Sequence, residues 1–541
     1  MSTEPRTNSL SIYLIKEGYS SYGDLVIDGV KGPVPVGNGV LFYSTTKDHT
    51  IPTWVSNFFG GEIKEEIKKK LSVKTVSAVY LICLTIGEKK ATFALTFGFG
   101  RYLLRYDCIQ RDFGLITSKH AVEVDQIKSM SSFTYDGNIK VKTIESVKEI
   151  TENEFFLNSD TDILKKINGR VRKMDDADLI SERLIGGIDP VNMTARVDIN
   201  NIGLLLSQLY KQYQDNGESG VRYSSSITQI KEEKTISEIE TLLMEAILDV
   251  EKKKHVYLSF PMTERDDTRS FIKYKVGGVE YQELTIDVLS NFSEIETIRT
   301  SSVLAYSDDG KDPACKPLIK CIYAEFEKED KCFLLAEGEV YQVEKSYKKE
   351  VERVYREVQI EDTLVLQDWA ETDDEDKFNS NQLSDEILVM DKKFVYPIGR
   401  SKIEVCDLFS RNKQFIHVKI FSGASAPLGH LFNQGLISAK SIYDDSLRRI
   451  IKEKISSVQE DYINEGKLNK GIEFQLDDPF DARQYSVVFL MLCKDGGDID
   501  DEGRPRIPFF AKAVFKDVFQ SITSLGFKVR IAGLKRTINT P

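Results

Sequence analysis

Along most of this 541-residue chain apolar and polar positions alternate in short blocks, with the period switching between strand-like and helix-like spacing. LSIYLIK (10–16) alternates as a strand. VSAVYLICLTI and ATFALTFGFGRYLL are rich in β-branched and aromatic residues and flank the turn GEKK, which predicts a hairpin. TWVSNFFGGEIKEEIKKKL sets Trp54, Phe58, Ile63, Ile67 and Leu71 at helical spacing with charge opposite. NNIGLLLSQLYKQYQ and SEIETLLMEAILDVEKKK predict two helices separated by the polar loop DNGESGVRYSSS, and the strand HVYLSF comes after them. CIYAEFE, KCFLLAEG and EVYQVE read as three short strands before the charged helix KSYKKEVERVYREV.

The last third changes in character. An acidic helical segment, LQDWAETDDEDKFN, leads into the strands EILVMDKKFVYP and KIEVCDLF, the turn SRNK and the strand QFIHVKIF. The helices PLGHLFNQGLISAKSI and SLRRIIKEKISSV come next, then the strand YSVVFLMLC. The expected class is α/β (α+β) and multidomain, with an α-β-β-β-α-β core at the C-terminal end. Domains are expected over 1–170 (α/β), 171–310 (helical or mixed connector), 311–360 (β-meander plus helix) and 361–541 (the chemistry-bearing domain).

Composition narrows the class. With 41% apolar and 29% charged residues the chain is ordinary globular protein. No run approaches the length a membrane span needs, and no export signal opens the sequence, so a cytoplasmic protein without a membrane partner is expected. Seven cysteines, none in a CxxC pair, read as reduced buried thiols. The net charge of −12 argues against nucleic-acid binding over the whole surface. Between Phe394 and Lys470, however, twelve Lys/Arg face eight Asp/Glu, a local cationic surplus in the window that carries the candidate chemistry.

That chemistry centres on one hairpin. Asp407 falls on the second strand, and His417 and Lys419 share a face of the third because strand side chains alternate. The α-β-β-β-α-β order is that of the restriction-endonuclease-like (PD-(D/E)xK-type) superfamily. Such a core pairs an acid on the second strand with an acid-x-lysine triplet on the third. Carboxylates there hold a hard divalent cation, Mg²⁺ or Mn²⁺, which lowers the pKa of a water, and the lysine serves the scissile phosphate. The expected catalytic set is Asp407, His417, Lys419 and Glu375, with Asp407 and Glu375 as metal ligands. Arg411, Lys413 and Gln434 are expected to contact substrate. His417 stands where the second acid belongs, and imidazole suits Mn²⁺ better than Mg²⁺.

The string KIEVCDLFSRNKQFIHVKIFSGASAPLGHLFNQGLISA resembles the bacterial "sporadically distributed" family of unknown function, domain of unknown function 6119. ATFALTFGFGRYLL, RDFGLI and IPFFAKAVFKDVFQSITSLGFKVRIAGL extend the resemblance over nearly the whole chain, and EDKFN resembles the family's acidic ExYN element. Gly429 replaces the usual serine and Phe378 the usual tyrosine. Members lie patchily in genomes, often in mobile or phage-defence islands. The resemblance therefore implies a defence role. Foreign nucleic acid (DNA foremost) is the partner the nuclease-like core leads us to expect, with other defence proteins and an oligomer of the chain as further expectations.

Competing motifs are weaker. Gly98 and Gly100 in FGFGR lack the third glycine of a phosphate loop and read as a bent strand. His417-Val-Lys419 begins like the HxK of phospholipase D-like enzymes, but Ala424 occupies the aspartate position. DGGDIDDE (495–502) lacks a calcium loop's final acid, since Phe509 falls there. The leading expectation is a metal-dependent nuclease acting in phage defence. Its rivals are a non-catalytic binding or sensing module and a structural subunit of a defence complex.

Overall fold

The hairpin Val76–Ile86/Lys89–Phe97 is paired antiparallel from Ala78 opposite Phe97 to Ile86 opposite Lys89. FGFGR is not the bent strand expected: the strand ends at Phe97, Gly98 and Phe99 form a turn with Gly98 at a φ of 59°, and the 3₁₀ turn Gly100–Leu103 follows. A Cβ at Gly100 would lie 2.0 Å from the Ala78 carbonyl oxygen, so the glycine is required by close backbone approach. This computed structural model describes residues 7–19, 21–45, 51, 64–135, 139–172, 180–215, 220–249, 252–261, 270–307, 313–397, 401–494 and 498–537. Trp54, Phe58 and Ile63 of the expected first helix lie outside them, as does the start of DGGDIDDE.

The described residues divide into two compact units. The first comprises residues 1–134, 141–228 and 258–322. In it Thr7–Leu14 pairs antiparallel with both Lys89–Phe97 and Val191–Arg196, inside a ten-stranded sheet. The expected division near residue 170 falls within this sheet. Helix Ile202–Gln214 buries Ile202, Leu205, Leu206 and Leu209, the spacing of one helical face.

The second unit comprises residues 135–140, 229–257 and 323–541. The expected meander is present as Ile322–Lys328, Lys331–Ala336 and Glu339–Val343, with helix Lys345–Glu357 after it. Beyond it lie α1 (Glu375–Asn381), β1 (Ile387–Val389), β2 (Leu408–Ser410), β3 (Gln414–Phe421), α2 (Ser425–Tyr443), α3 (Asp445–Asn464), β4 (Ser486–Cys493), α4 (Phe509–Ser524) and β5 (Lys528–Thr537). Strands β1, β2 and β3 pair antiparallel, while β3, β4 and β5 pair parallel. All eight residues of β4 are buried, as the uninterrupted apolar run SVVFLMLC requires of a central parallel strand.

Alternation along β3 sorts its side chains. Phe415 and Phe421 join one apolar cluster with Phe432, Phe489 and Phe515. Ile416 and Val418 join a second with Trp369, Phe378, Leu408 and Leu490. Helix α2 closes on the sheet at Gly435, where a Cβ would meet the Phe489 ring at 2.4 Å.

Three elements are shorter than their patterns predict. The acidic helix spans only Glu375–Asn381, because Trp369–Ala370 pairs parallel with β5 and Asp374 then caps the helix, accepting from the Lys377 N–H at 2.8 Å. A helix of seven residues is too short to persist by propensity, and burial of Phe378 holds it. The first expected strand stops at Val389, and Lys392 then takes a φ of 59°. In the second, only Leu408–Ser410 pairs as a strand, with a lone bridge between Val395 and Ile403 upstream. Among the described residues no helix is long and apolar enough to cross a membrane.

Candidate metal centre

Because β2 is so short, β3 loses its antiparallel neighbour halfway along its length. The last backbone bond between them runs from the Asp407 N–H to the Ile416 carbonyl at 3.0 Å. The next two outward N–H groups of β3 are taken by carboxylates. Asp407 Oδ2 accepts from Val418 at 2.7 Å, and Glu375 Oε2 accepts from Ile420 at 3.0 Å. Glu375 Oε1 takes the Lys419 ammonium at 2.8 Å. An unpaired strand edge would leave these donors unsatisfied, so the two acids are fixed by the backbone that they cap.

Two further carboxylates close on Asp407. Asp391, just past β1, and Glu404, before β2, each bring an oxygen to it, all three lying within 4.8 Å of one another. Glu404 Oε1 also accepts the Lys392 N–H at 2.6 Å. The Asn379 side chain, on α1, hydrogen-bonds Asp391. Asn379 is 1% exposed, and its carbonyl Oδ1 is buried with no hydrogen-bond partner.

Crowding and burial set the electrostatics. Burial pushes the Asp407 carboxyl up to about 8, with the nearby charges of Glu404, Asp391 and Glu375 adding to it and the Val418 N–H opposing it. Burial likewise raises Asp391, against the Asn379 hydrogen bond. It raises Glu404 too, against the Lys392 N–H. Carboxylates packed this closely either hold protons or share a cation. An all-oxygen set with a hard-ligand character fits Mg²⁺ or Mn²⁺.

The remaining expected site residues are dispersed. His417 is buried on β3 with its ring 6.1 Å from that of Phe489, and its Nε2 has no partner. Burial drives its pKa down to about 3, so the ring is neutral near pH 7. Arg411 pairs with Glu386 at 3.1 Å, and Lys413 with Asp477 at 2.6 Å and Gln484 at 2.8 Å. Gln434 is half-buried on α2. Asp407, Glu375 and Lys419 are thus brought together along one strand edge. Asp391, Glu404 and Asn379 were not singled out by pattern. Their one signal is an acid or amide interrupting an apolar stretch, as in LVMD and KIEVCD.

Over residues 10–535 the sequence matches the family of unknown function DUF6119. The chain belongs to that family. No curated protein and no solved structure matches it. In this DUF6119 chain the carboxylate cluster, α1 and the β3 edge all fall inside the matched region.

Proposed function

We propose that the C-terminal part of the second unit is a metal-dependent nuclease-like domain with a restriction-endonuclease-like core, acting in the cytoplasm on foreign nucleic acid, DNA foremost, in phage defence. One observation carries this reading. Asp407 and the Glu375–Lys419 pair are set side by side on the bare edge of β3, held by consecutive outward N–H groups. The order α1-β1-β2-β3-α2-α3-β4, with β4 parallel to β3, supports the core assignment.

A hard divalent cation at the carboxylates would lower the pKa of a bound water and offset the charge of a phosphodiester. Asp407 would hold it, while Glu375, the expected accessory carboxylate, has both oxygens engaged by the Lys419 ammonium and the Ile420 N–H. Lys419, about a third exposed, is the cation positioned to donate to a phosphoryl oxygen. Glu375 fixes the lysine's place by its second hydrogen bond to the backbone. The neutral, buried His417 has no carboxylate's charge to offer, which favours a second reading: a sensing module on the same scaffold that binds phosphate without cutting it.

Purified protein incubated with plasmid DNA or RNA and Mg²⁺ or Mn²⁺ separates the two. Cleavage that Asp407→Ala and Lys419→Ala both abolish supports the nuclease. Intact substrates throughout, with retained binding, leave the sensing module. Phage plating on cells carrying the same variants tests the defence role, and full protection by both would end it.

A further inference from the structure

The expected acid of the acid-x-lysine triplet is His417, so a cation in this core needs its oxygen ligands from elsewhere. The geometry points to Asp391, Glu404 and Asp407 as the ligands of one hard divalent cation, with the Asn379 carbonyl oxygen as a neutral fourth, and to Glu375 as the partner of Lys419 instead of a ligand. This assignment rests on the reading of the strand edge as a cation site, but holds for a nuclease and a sensing module alike.

Three observations converge. The ligand oxygens of the three acids lie within 4.8 Å of one another, close enough to share a single ion. Independently, Asn379 is almost wholly buried and is directed into the cluster by its hydrogen bond to Asp391, yet its Oδ1 has no partner. A buried carbonyl oxygen without a donor is costly, and a cation held by the carboxylate that the same side chain touches would satisfy it. Finally, both oxygens of Glu375 are occupied, Oε1 by Lys419 and Oε2 by Ile420. Asp407 accepts from Val418 through Oδ2. The division leaves the acids of the cluster to the ion and Glu375 to the lysine.

The supply of acids also accounts for the histidine. With Glu404 before β2 and Asp391 after β1 completing the charge, position 417 is released to the core against Phe489.

Isothermal titration of the full chain with MnCl₂ at pH 8, alongside thermal unfolding with and without Mn²⁺, tests the assignment. One Mn²⁺ per chain is expected, with Asp391→Asn and Glu404→Gln each weakening it about tenfold or more, as loss of a charged ligand does. Glu375→Gln should bind Mn²⁺ within about threefold of wild type, as expected for a residue outside the ligand set. Should Asp391→Asn fail to melt cooperatively without metal, Glu404→Gln carries the comparison. Wild-type binding by both acid variants, loss of binding in Glu375→Gln, or no Mn²⁺ bound by the wild type would each overturn it. A chain that binds Mn²⁺ with this ligand dependence but leaves DNA and RNA intact upholds the ligand set while the nuclease reading fails.

Discussion

Asp407 reaches from the end of β2 to the backbone of Val418 on β3, and its Oδ2 takes the N–H that a longer β2 would have paired. The side chain therefore continues the sheet's hydrogen bonding where the neighbouring strand stops, and this fixes a buried carboxylate among other acids. A backbone device and an electrostatic one coincide at a single residue.

That coincidence makes stability depend on pH. Burial lifts Asp407 to about 8 in the folded chain, and an unfolded aspartate titrates near 4. The native state therefore holds more protons than the unfolded one between about pH 4 and pH 8. Stability from this group is full below that window and is lost as pH rises through it. Urea unfolding of the metal-free chain should show lower stability at pH 8 than at pH 5, and Asp407→Asn should reduce the difference. Stability rising over that range, with no effect of the variant, would refute the assignment.

Cation binding should run the other way. Because a ligand must shed its proton to accept a metal, Mn²⁺ affinity should rise by up to about tenfold per pH unit between pH 6 and pH 8 for each proton released. Titrations in two buffers of different ionisation enthalpy count the protons directly. A pH-independent affinity is the contrary result.

Lys419→Ala separates chemistry from stability. The pair with Glu375 has side chains 30% and 28% exposed, so its loss should cost no more than about 1 kcal/mol in urea unfolding. If the nuclease reading holds, cleavage should fall by about a hundredfold or more, as loss of a charge-stabilising donor does. A variant that cuts at the wild-type rate removes Lys419 from the mechanism.

Packing of α2 is tested by Gly435→Ala. Its Cβ would lie 2.4 Å from Phe489, whose ring packs edge-on against both Phe432 and Phe515. Alanine gains about 1 kcal/mol of helix propensity over glycine, while overpacking a core costs about 1–3 kcal/mol. Net destabilisation is expected, read as a lower urea midpoint; a midpoint at or above wild type would show that the interface relaxes.

Local chemistry determined most of the elements. The unbroken apolar run of β4, the hairpin around GEKK, the meander before Lys345 and the helical spacing of α2 are legible because each pattern is satisfied within its own segment. The placing of Asp407 beside the third strand was also within reach, since a hairpin confines where its side chain can go, and its Oδ2 accepts from the Val418 N–H. Asp391, Glu404 and Asn379 were not. They lie on irregular backbone and a short helix, where no period links sequence distance to space, and only the folding of those segments against the edge of β3 makes them neighbours. The same holds for His417. Alternation puts it on the face of Phe415, but only the packing of Phe489 and α2 on that face decides that the ring is dry and neutral. Periodicity is a property of a segment. A cation site made from irregular loops and a helix is a property of the fold.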